Sequence, residues 1–284
     1  MAEPTHARPR LPGAPARQVS GKWLLPREHG GWGIVLIPFL TAVAIAGNLS
    51  IPVVLALATV LLVFVARYPL ELLLLPGLYR RAGSPSVSHV QTLAWTYSLL
   101  AASVGLLLVV VWKLYLLLWL ALVGGVLFAG RVCWGRKNSD RNLGAELTGT
   151  GALTLSALVG WLAATGELNR TGLLVWGLNG VFFCSGILYV KSRIRARLAV
   201  HRPGENPSVA FALSFHFLVL LFVLALVFAR WISPLIVVPF ALAAVRITWG
   251  LRSSHKPFAL RRLGWSEVAL SLLFATFMTL GFRL

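Results

Sequence analysis

Residues 51–75 of the chain read IPVVLALATVLLVFVARYPLELLLL, an apolar run that is about as long as a lipid bilayer is thick. A helix needs roughly 20 mainly apolar residues to cross the hydrocarbon layer of a membrane. Arg67 and Glu71 are the two charged residues in the run. The run therefore predicts a transmembrane helix, and the same pattern recurs along the chain.

Apolar stretches of similar length follow one another along nearly all of the sequence. They predict transmembrane helices at 31–47, 51–75, 92–111, 114–130, 143–164, 171–190, 209–228, 232–249 and 265–282. We therefore expect an all-α fold, a polytopic transmembrane helical bundle of about nine helices that forms one domain over residues 23–284. Residues 1–22 are rich in Pro, Ala and Arg and have no apolar core, so we expect a disordered basic cytoplasmic tail there.

The composition agrees with a membrane protein rather than an ordinary soluble domain. Hydrophobic residues make up 58% of the 284 residues and charged residues 12%, while the formal net charge is +18. Such a charge can indicate nucleic acid as a partner, but a nucleic-acid binder needs a basic face on a polar fold. Here Lys and Arg lie in short connections between apolar runs. We therefore expect no nucleic acid, and membrane lipids with anionic headgroups as the default partner.

The basic residues alternate between the two sides of the predicted bundle. Of the 26 Lys and Arg residues, 20 lie in the N-terminal tail and in the even-numbered loops. Four lie in the odd-numbered loops and at the C-terminus, and Arg67 and Arg246 lie inside apolar runs. Because cytoplasmic loops collect Lys and Arg, this alternation predicts an N-terminus inside the cell and a C-terminus outside it.

The fifth predicted helix carries a small residue at every fourth position. A stripe of this kind lets a neighbouring backbone approach closely, so we expect this helix to lie at the centre of the bundle. The stripe consists of Gly144, Thr148, Ala152, Ser156, Gly160 and Ala164.

Three acidic residues lie in or beside predicted helices, where a charge is costly unless it is paired or faces water. Arg67 and Glu71 are four residues apart and share one helix face, so they form either a structural ion pair near Pro69 or part of a site. Glu146 and Glu267 lie near predicted helix starts, where the helix dipole favours a carboxylate. Capping therefore competes with a functional role for both.

The segment before the first predicted helix combines charged residues with glycines. Arg27, Glu28 and His29 precede Gly30 and Gly31 directly. Glycines allow a backbone or a ligand to come close, and a helix N-terminus flanked by basic groups can hold an anionic headgroup, a phosphate or a quinone oxygen. The alternative is that these charges only set the orientation of the helix.

Four further polar residues are candidates for the same kind of site. The loop with Lys191 and Arg193 is basic enough to bind anionic lipid, although orientation explains it equally well. Arg141 precedes Glu146 on the same predicted side. His216 stands alone in the seventh helix, where it either forms a hydrogen bond inside the bundle or belongs to a polar path.

Several stretches of the sequence resemble the YwiC-like family of bacterial membrane proteins. They are residues 27–32 with 37–40, residues 67–70, residues 188–193 and the end of the chain from Lys256-Pro257 to Glu267. The resemblance implies a multi-pass protein of the bacterial inner membrane. Because the family has no settled molecular activity, it implies neither a reaction nor a cofactor.

The predicted architecture also resembles the UbiA-type intramembrane prenyltransferases, whose active-site loops follow their second and sixth helices. That family holds Mg²⁺ and a prenyl diphosphate with two Asp-rich motifs, whereas this sequence contains a single Asp, Asp140. Arg67 and Glu71 stand where the first motif would be, and Lys191 and Arg193 stand near the second. A prenyltransferase of this kind would therefore be a metal-free variant that neutralises a diphosphate with Arg and Lys.

Three function classes remain open: a transporter or permease, an intramembrane enzyme, and a membrane partner without small-molecule chemistry. The sequence favours a cytoplasm-facing polar site that binds an anionic amphiphile or a quinone- or isoprenoid-like molecule, with no metal and no cofactor. The candidate ligand-binding residues are Arg27, Glu28, His29, Arg67, Glu71, Arg141, Glu146, Lys191, Arg193 and Glu267.

Overall fold

The structure is a computed structural model that describes residues 24–26, 29–137, 143–199, 209–252 and 260–284. The predicted tail at 1–22 lies outside the described residues. Every regular element in the described part of the chain is a helix. The helices are α1 His29–Ala46, α2 Ile51–Leu74, α3 Pro76–Arg81, α4 Val87–Val111, α5 Leu116–Lys137, α6 Leu143–Thr154, α7 Ser156–Thr165, α8 Arg170–Ala199, α9 Val209–Phe228, α10 Val237–Arg252 and α11 Leu260–Arg283, with one 3₁₀ turn at Pro234–Ile236.

The helices account for each of the predicted membrane stretches. Within the described residues, 7 helical spans are long and apolar enough to cross a membrane. Two further apolar helices, Gly30–Ala46 and Pro234–Gly250, coincide with the first and eighth predicted stretches but are shorter. The all-α prediction is confirmed, and the chain is a helical membrane protein.

The fifth span differs from the prediction in one detail: the regular helical pattern is interrupted at the single residue Leu155, which keeps right-handed helical φ and ψ angles of −56° and −20°. Helix α6 ends at Thr154 and α7 begins at Ser156. Two hydroxyl groups beside the break bond to carbonyl oxygens: Thr154 Oγ1 donates to Gly151 at 3.1 Å, and Ser156 Oγ donates to Val35 of α1 at 2.8 Å. The local Thr154 bond competes with the regular helical ladder, which gives a physical reason for the interruption, whereas the Ser156 bond ties α7 to α1.

Other helix ends also differ from the apolar boundaries. Helix α4 begins at Val87 and α11 at Leu260, both ahead of their apolar stretches, while α8 continues to Ala199. A helix can extend beyond the membrane on polar residues, so hydropathy alone does not locate its ends. The short helix α3 was not predicted.

The fifth span lies at the centre of the bundle, as its small residues predict. Of its apolar stretch, 67% is buried inside the protein, against 6% for the stretch in α5. The two small residues Ser156 and Gly160 lie against α1, because a Cβ on Gly160 would come within 3.0 Å of the Phe39 carbonyl oxygen. The carbonyl oxygen of Ala164 accepts a hydrogen bond from Asn48 at 2.8 Å.

The tight connections between successive helices follow the sequence. Gly47, Lys113 and Arg230 have positive φ angles of 72°, 57° and 57°. Each of them lies just after a helix, where a left-handed residue ends the helix and turns the chain. These turns join α1 to α2, α4 to α5, and α9 to the 3₁₀ turn before α10, so neighbouring spans run in opposite directions.

We expect Gly160→Val to lower the stability of the protein by about 1–3 kcal/mol, because the new side chain overpacks the contact with Phe39. Thermal unfolding of the purified protein in detergent measures this as a lower midpoint. The matched control is Gly177→Val in α8, where nothing lies within 4 Å of an added Cβ. Equal midpoints for both variants would contradict the close contact between α7 and α1.

Candidate functional site

Charged side chains gather at one end of the bundle because successive spans alternate in direction. The ends that meet there are the C-terminal ends of α2, α5, α8 and α10 and the N-terminal ends of α6 and α11. We call this set of side chains the polar belt. Its described members are Arg67, Glu71, Arg131, Glu146, Lys191, Arg193, Arg246 and Glu267.

The first group in the polar belt is built around Glu71. Its side chain is buried in α2 and pairs with two arginines. Arg131 of α5 donates from Nε to Glu71 Oε1 at 2.6 Å and from Nη2 to Oε2 at 3.4 Å. Arg67 Nε lies 3.5 Å from the same Oε1 atom, which confirms the predicted pairing of Arg67 with Glu71. The attraction of the two guanidinium groups offsets the free energy that the buried carboxylate loses when it leaves water.

Arg131 also ties the Glu71 group to the central span. Its Nη1 donates to the carbonyl oxygen of Ala145 in α6 at 3.2 Å. A Cβ on Gly149 would lie 3.2 Å from Arg131 Cδ, so the glycine leaves the room that the arginine occupies. The polar belt therefore connects α2, α5 and α6 through one side chain.

The second group joins α6 to α8. Lys191 Nζ lies 2.8 Å from Glu146 Oε2, and both side chains are partly buried. Glu146 lies in the first turn of α6, where the helix dipole favours it as expected. Its carboxylate is nevertheless bound to another helix, so its role extends beyond capping.

The third group lies among the last helices. Arg246 Nη1 of α10 is 2.7 Å from Glu267 Oε1 of α11, and the Arg246 guanidinium stacks over the Tyr189 ring at 4.1 Å from its centroid. Arg193 of α8 donates to the carbonyl oxygen of Gly250 in α10. The prediction that Glu267 lies at a helix start is wrong, because α11 begins at Leu260 and Glu267 lies two turns inside it.

The opening segment of the chain lies beside the Glu71 group. Trp32 Nε1 donates to the Pro26 carbonyl oxygen at 3.4 Å, and the Trp32 ring meets Phe64 edge-on at 4.8 Å between centroids. The Arg67 guanidinium lies 5.4 Å from the centroid of the same Phe64 ring. The predicted site residues Arg27, Glu28 and Arg141 lie outside the described residues, as does the side chain of His29, the first residue of α1.

Sequence reasoning missed two members of the polar belt. The apolar run before Arg131 ends at Gly130, so hydropathy places Arg131 in a loop, whereas α5 continues to Lys137. Arg246 lies inside an apolar run, and the sequence does not reveal its partner. An arginine within a membrane span is nevertheless expected to have one, because an uncompensated charge there is costly. Their partners, Glu71 and Glu267, lie 60 and 21 residues away in sequence, so no local spacing reveals the pairs.

The charges of the polar belt do not balance. Its described members are five basic and three acidic side chains. Among the described residues no three His, Cys, Asp or Glu side chains come together in a way that could hold a metal ion. The surplus of Arg and Lys suits an anion, since guanidinium and ammonium groups bind phosphate and carboxylate oxygens.

We expect Glu71→Gln to destabilise the protein by about 3 kcal/mol, because the change leaves Arg67 and Arg131 without their buried carboxylate. Thermal or denaturant unfolding in detergent measures the loss. The matched control is Glu167→Gln, since Glu167 lies exposed in the connection between α7 and α8. If both variants unfold like the parent protein, the Glu71 group does not support the fold.

Comparison with known proteins agrees with the resemblance seen in the sequence. Residues 25–161 match a family model described as YwiC-like protein. No curated protein and no solved structure is significantly similar to the chain, so the resemblance to UbiA-type enzymes stays a sequence-based expectation. The matched segment runs from just before α1 into α7 and contains Arg67, Glu71, Arg131 and Glu146. Residues 25–161 of the chain are therefore YwiC-like.

Proposed function

We propose that the chain binds an anionic amphiphile, a molecule with a phosphate-type or other acidic headgroup on an isoprenoid-like tail, at the polar belt. The surplus of basic over acidic side chains in the belt carries this proposal. Charge inside a membrane bundle is costly unless it is compensated. An acidic headgroup at this end of the bundle would accept hydrogen bonds from these guanidinium and ammonium groups.

The Glu71 group is the best-placed part of the belt for the headgroup. Glu71 fixes the guanidinium of Arg131, and Phe64 and Trp32 pack beside Arg67. Guanidinium groups that are already held in place lose less side-chain entropy when they bind an oxyanion. The YwiC-like segment also contains this group, so the proposal rests on the part of the chain that the family model covers.

The surroundings of Arg131 suit the apolar tail of the proposed amphiphile. Helix α5 is the least buried of the long spans, and Leu118, Trp119 and Leu122 are exposed along it. In a bilayer these side chains face lipid, so an apolar tail can lie along α5 while its headgroup is near Arg131.

We place the polar belt on the cytoplasmic side of a bacterial inner membrane. The alternation of Lys and Arg between successive loops supports this orientation, as does the resemblance to a family of bacterial membrane proteins. On that side the anionic lipid surface also attracts the basic connections.

A binding experiment with three probes tests the proposed ligand class. We expect farnesyl diphosphate to bind the purified protein in lipid nanodiscs more tightly than farnesol, because the diphosphate interacts with the basic side chains, and a short-chain quinone to fall between them. Arg67→Gln and Lys191→Gln should each weaken diphosphate binding about tenfold, the loss of one charged hydrogen bond. Isothermal titration calorimetry gives the affinities.

The control for these variants is Lys113→Gln, which removes a basic residue from an exposed position at the opposite end of the bundle. We expect it to bind the diphosphate like the parent protein. Equal affinity for farnesyl diphosphate and farnesol would contradict an anion site. A quinone that binds more tightly than the diphosphate would assign the belt to a neutral headgroup instead.

The proposed orientation predicts that a reporter fused after Leu284 is exposed outside the cytoplasm, while one inserted at residues 138–142 faces the cytosol. Each position is fused in turn to alkaline phosphatase, which is active only outside the cytoplasm, and to green fluorescent protein, which fluoresces only inside it. Fluorescence from the fusion after Leu284 would place the C-terminus in the cytosol and contradict the orientation.

The break at Leu155 favours transport as a second candidate function. Transporters often place interrupted helices near the middle of the membrane, and the most buried span of this chain has a one-residue interruption at Leu155 with the backbone still in the helical region. Uptake of labelled farnesyl diphosphate into proteoliposomes separates the two functions, because a binding protein takes up no more than one equivalent.

A further inference from the structure

Helices α2 and α5 are connected at the polar belt by long side chains rather than by close packing. Helix α2 packs on α4 and α7, and α5 packs on α6 and α7, but α2 and α5 do not pack on each other. Two arginines of α5 bridge the distance: Arg131 donates to Glu71, and Arg136 Nε donates to the carbonyl oxygen of Leu74 at 3.0 Å. The two helices therefore leave a space between them on the belt side of the bundle.

The same space is closed at its other end. There Leu117 and Leu120 of α5 pack against a hydrophobic core that contains Ala56 of α2. The next core of α2 towards the polar belt contains Ala66 and, among the described residues, no residue of α5. We call the space between α2 and α5, from the level of Leu120 to Arg131, the α2–α5 slot.

The walls of the α2–α5 slot are apolar. Residues 60–66 of α2 and 120–130 of α5 contain no polar side chain. Helix α5 lies against the fifth span, because a Cβ on Gly124 would be 3.7 Å from Leu155 Cδ1. In that span the hydroxyl groups of Thr150 and Thr154 donate to carbonyl oxygens of their own helix. These walls therefore suit a hydrocarbon chain.

Val63 of α2 lies at the opening of the slot. It comes one turn after Thr59, whose methyl group packs on α4, and one turn before Arg67. The Val63 residue is 56% exposed, whereas the Arg67 side chain is 11% exposed. On α5, Val123 is 42% exposed. The slot therefore opens sideways to the surrounding lipid at this level.

The length of the slot corresponds to a definite length of hydrocarbon. From Leu120 to Arg131 helix α5 rises about 16 Å, at roughly 1.5 Å for each residue. An extended chain of single bonds advances about 1.2 Å for each bond, as an extended peptide backbone does. About 13 carbons therefore reach from the polar belt to the closed end.

We propose that the α2–α5 slot holds the tail of the amphiphile, which enters sideways from the lipid with its acidic headgroup at Arg67 and Arg131. This inference rests on the proposed function, because it needs a headgroup bound at the polar belt. Positive charge at one end and apolar walls along the rest complement a chain with an acidic end. A tail inside the slot also gains dispersion contacts with packed helices on more than one side.

Photolabelling of the full chain in phosphatidylcholine nanodiscs locates the tail. The probe is dodecyl phosphate with a diazirine on its last carbon, and mass spectrometry identifies the labelled residues. We expect label on residues 60–63 of α2 and 120–124 of α5, and we expect an excess of plain dodecyl phosphate to remove it. Phe217 and Leu218 of α9 are exposed and report labelling from the bulk lipid. Equal labelling of those two residues and of the slot would overturn the proposal.

The position of the diazirine tests how the tail is oriented. When the diazirine is moved from carbon 12 to carbon 6, we expect the label on α5 to shift by about five residues towards Arg131. A label that does not move, or that moves away from Arg131, would contradict a tail that extends from the polar belt to Leu120.

Val63→Trp tests the opening of the slot. The larger side chain obstructs it, so we expect the label in the slot to be lost. The matched control is Val54→Trp, because Val54 is 58% exposed near the other end of the same helix, and we expect this variant to keep the label. Slot labelling by Val63→Trp at the parent level would overturn the proposal. If Val63→Trp unfolds at a lower temperature than the control, Val123→Trp on α5 takes its place.

The headgroup site and the slot can fail separately. Binding of dodecanol as tight as that of dodecyl phosphate would remove the headgroup site and, with it, the slot. Preferential binding of dodecyl phosphate, with its tail label spread evenly over the exposed residues of the bundle, would remove the slot alone.

Discussion

A carboxylate buried among apolar helices needs a positive partner, and this requirement determines how the polar groups of this bundle are arranged. Each buried or partly buried acid in the described part of the chain lies against a basic side chain: Glu71 against Arg131 and Arg67, Glu146 against Lys191, and Glu267 against Arg246. Removal of one partner would leave a charge that the membrane interior cannot solvate. The pairs therefore fix which helices lie next to one another at this end.

The same requirement explains the surplus of basic residues. Each of the three carboxylates in the belt lies against a basic side chain, and the five basic residues of the belt outnumber them. A bundle that needed only structural ion pairs could balance the two charges. The excess is consistent with an acidic headgroup as an additional partner, which is why the belt, rather than any single residue, carries the proposed function.

The sequence predicted the elements well and the long-range pairs poorly. Hydropathy located the spans because the membrane thickness imposes a minimum apolar length. The pair of Arg67 with Glu71 was predictable because it depends on local helical spacing. Arg131 and Arg246 find their partners through tertiary packing, so no spacing rule identifies them. The break at Leu155 depends on hydroxyl groups that bond to particular carbonyl oxygens, and the small-residue stripe gave no sign of it.

The two ends of the polar belt differ in their surroundings and in their place relative to the YwiC-like segment. The Glu71 group lies within the YwiC-like segment, beside the lipid-exposed helix α5. The Arg246–Glu267 pair lies outside that segment, and Glu267 lies close to Gly186 of α8. The Glu146–Lys191 pair joins the central span to α8 and so connects the two.

The measurement that tests the central claim most directly is mass spectrometry of the lipophilic molecules that remain bound after gentle detergent extraction. The account predicts a single enriched species with an acidic headgroup, present at about one molecule per chain and lost when Arg67 and Lys191 are both replaced by Gln, a change that leaves Arg131 paired with Glu71. Lipids recovered only in the proportions of the surrounding membrane, or an enriched neutral species that these two replacements leave in place, would contradict it.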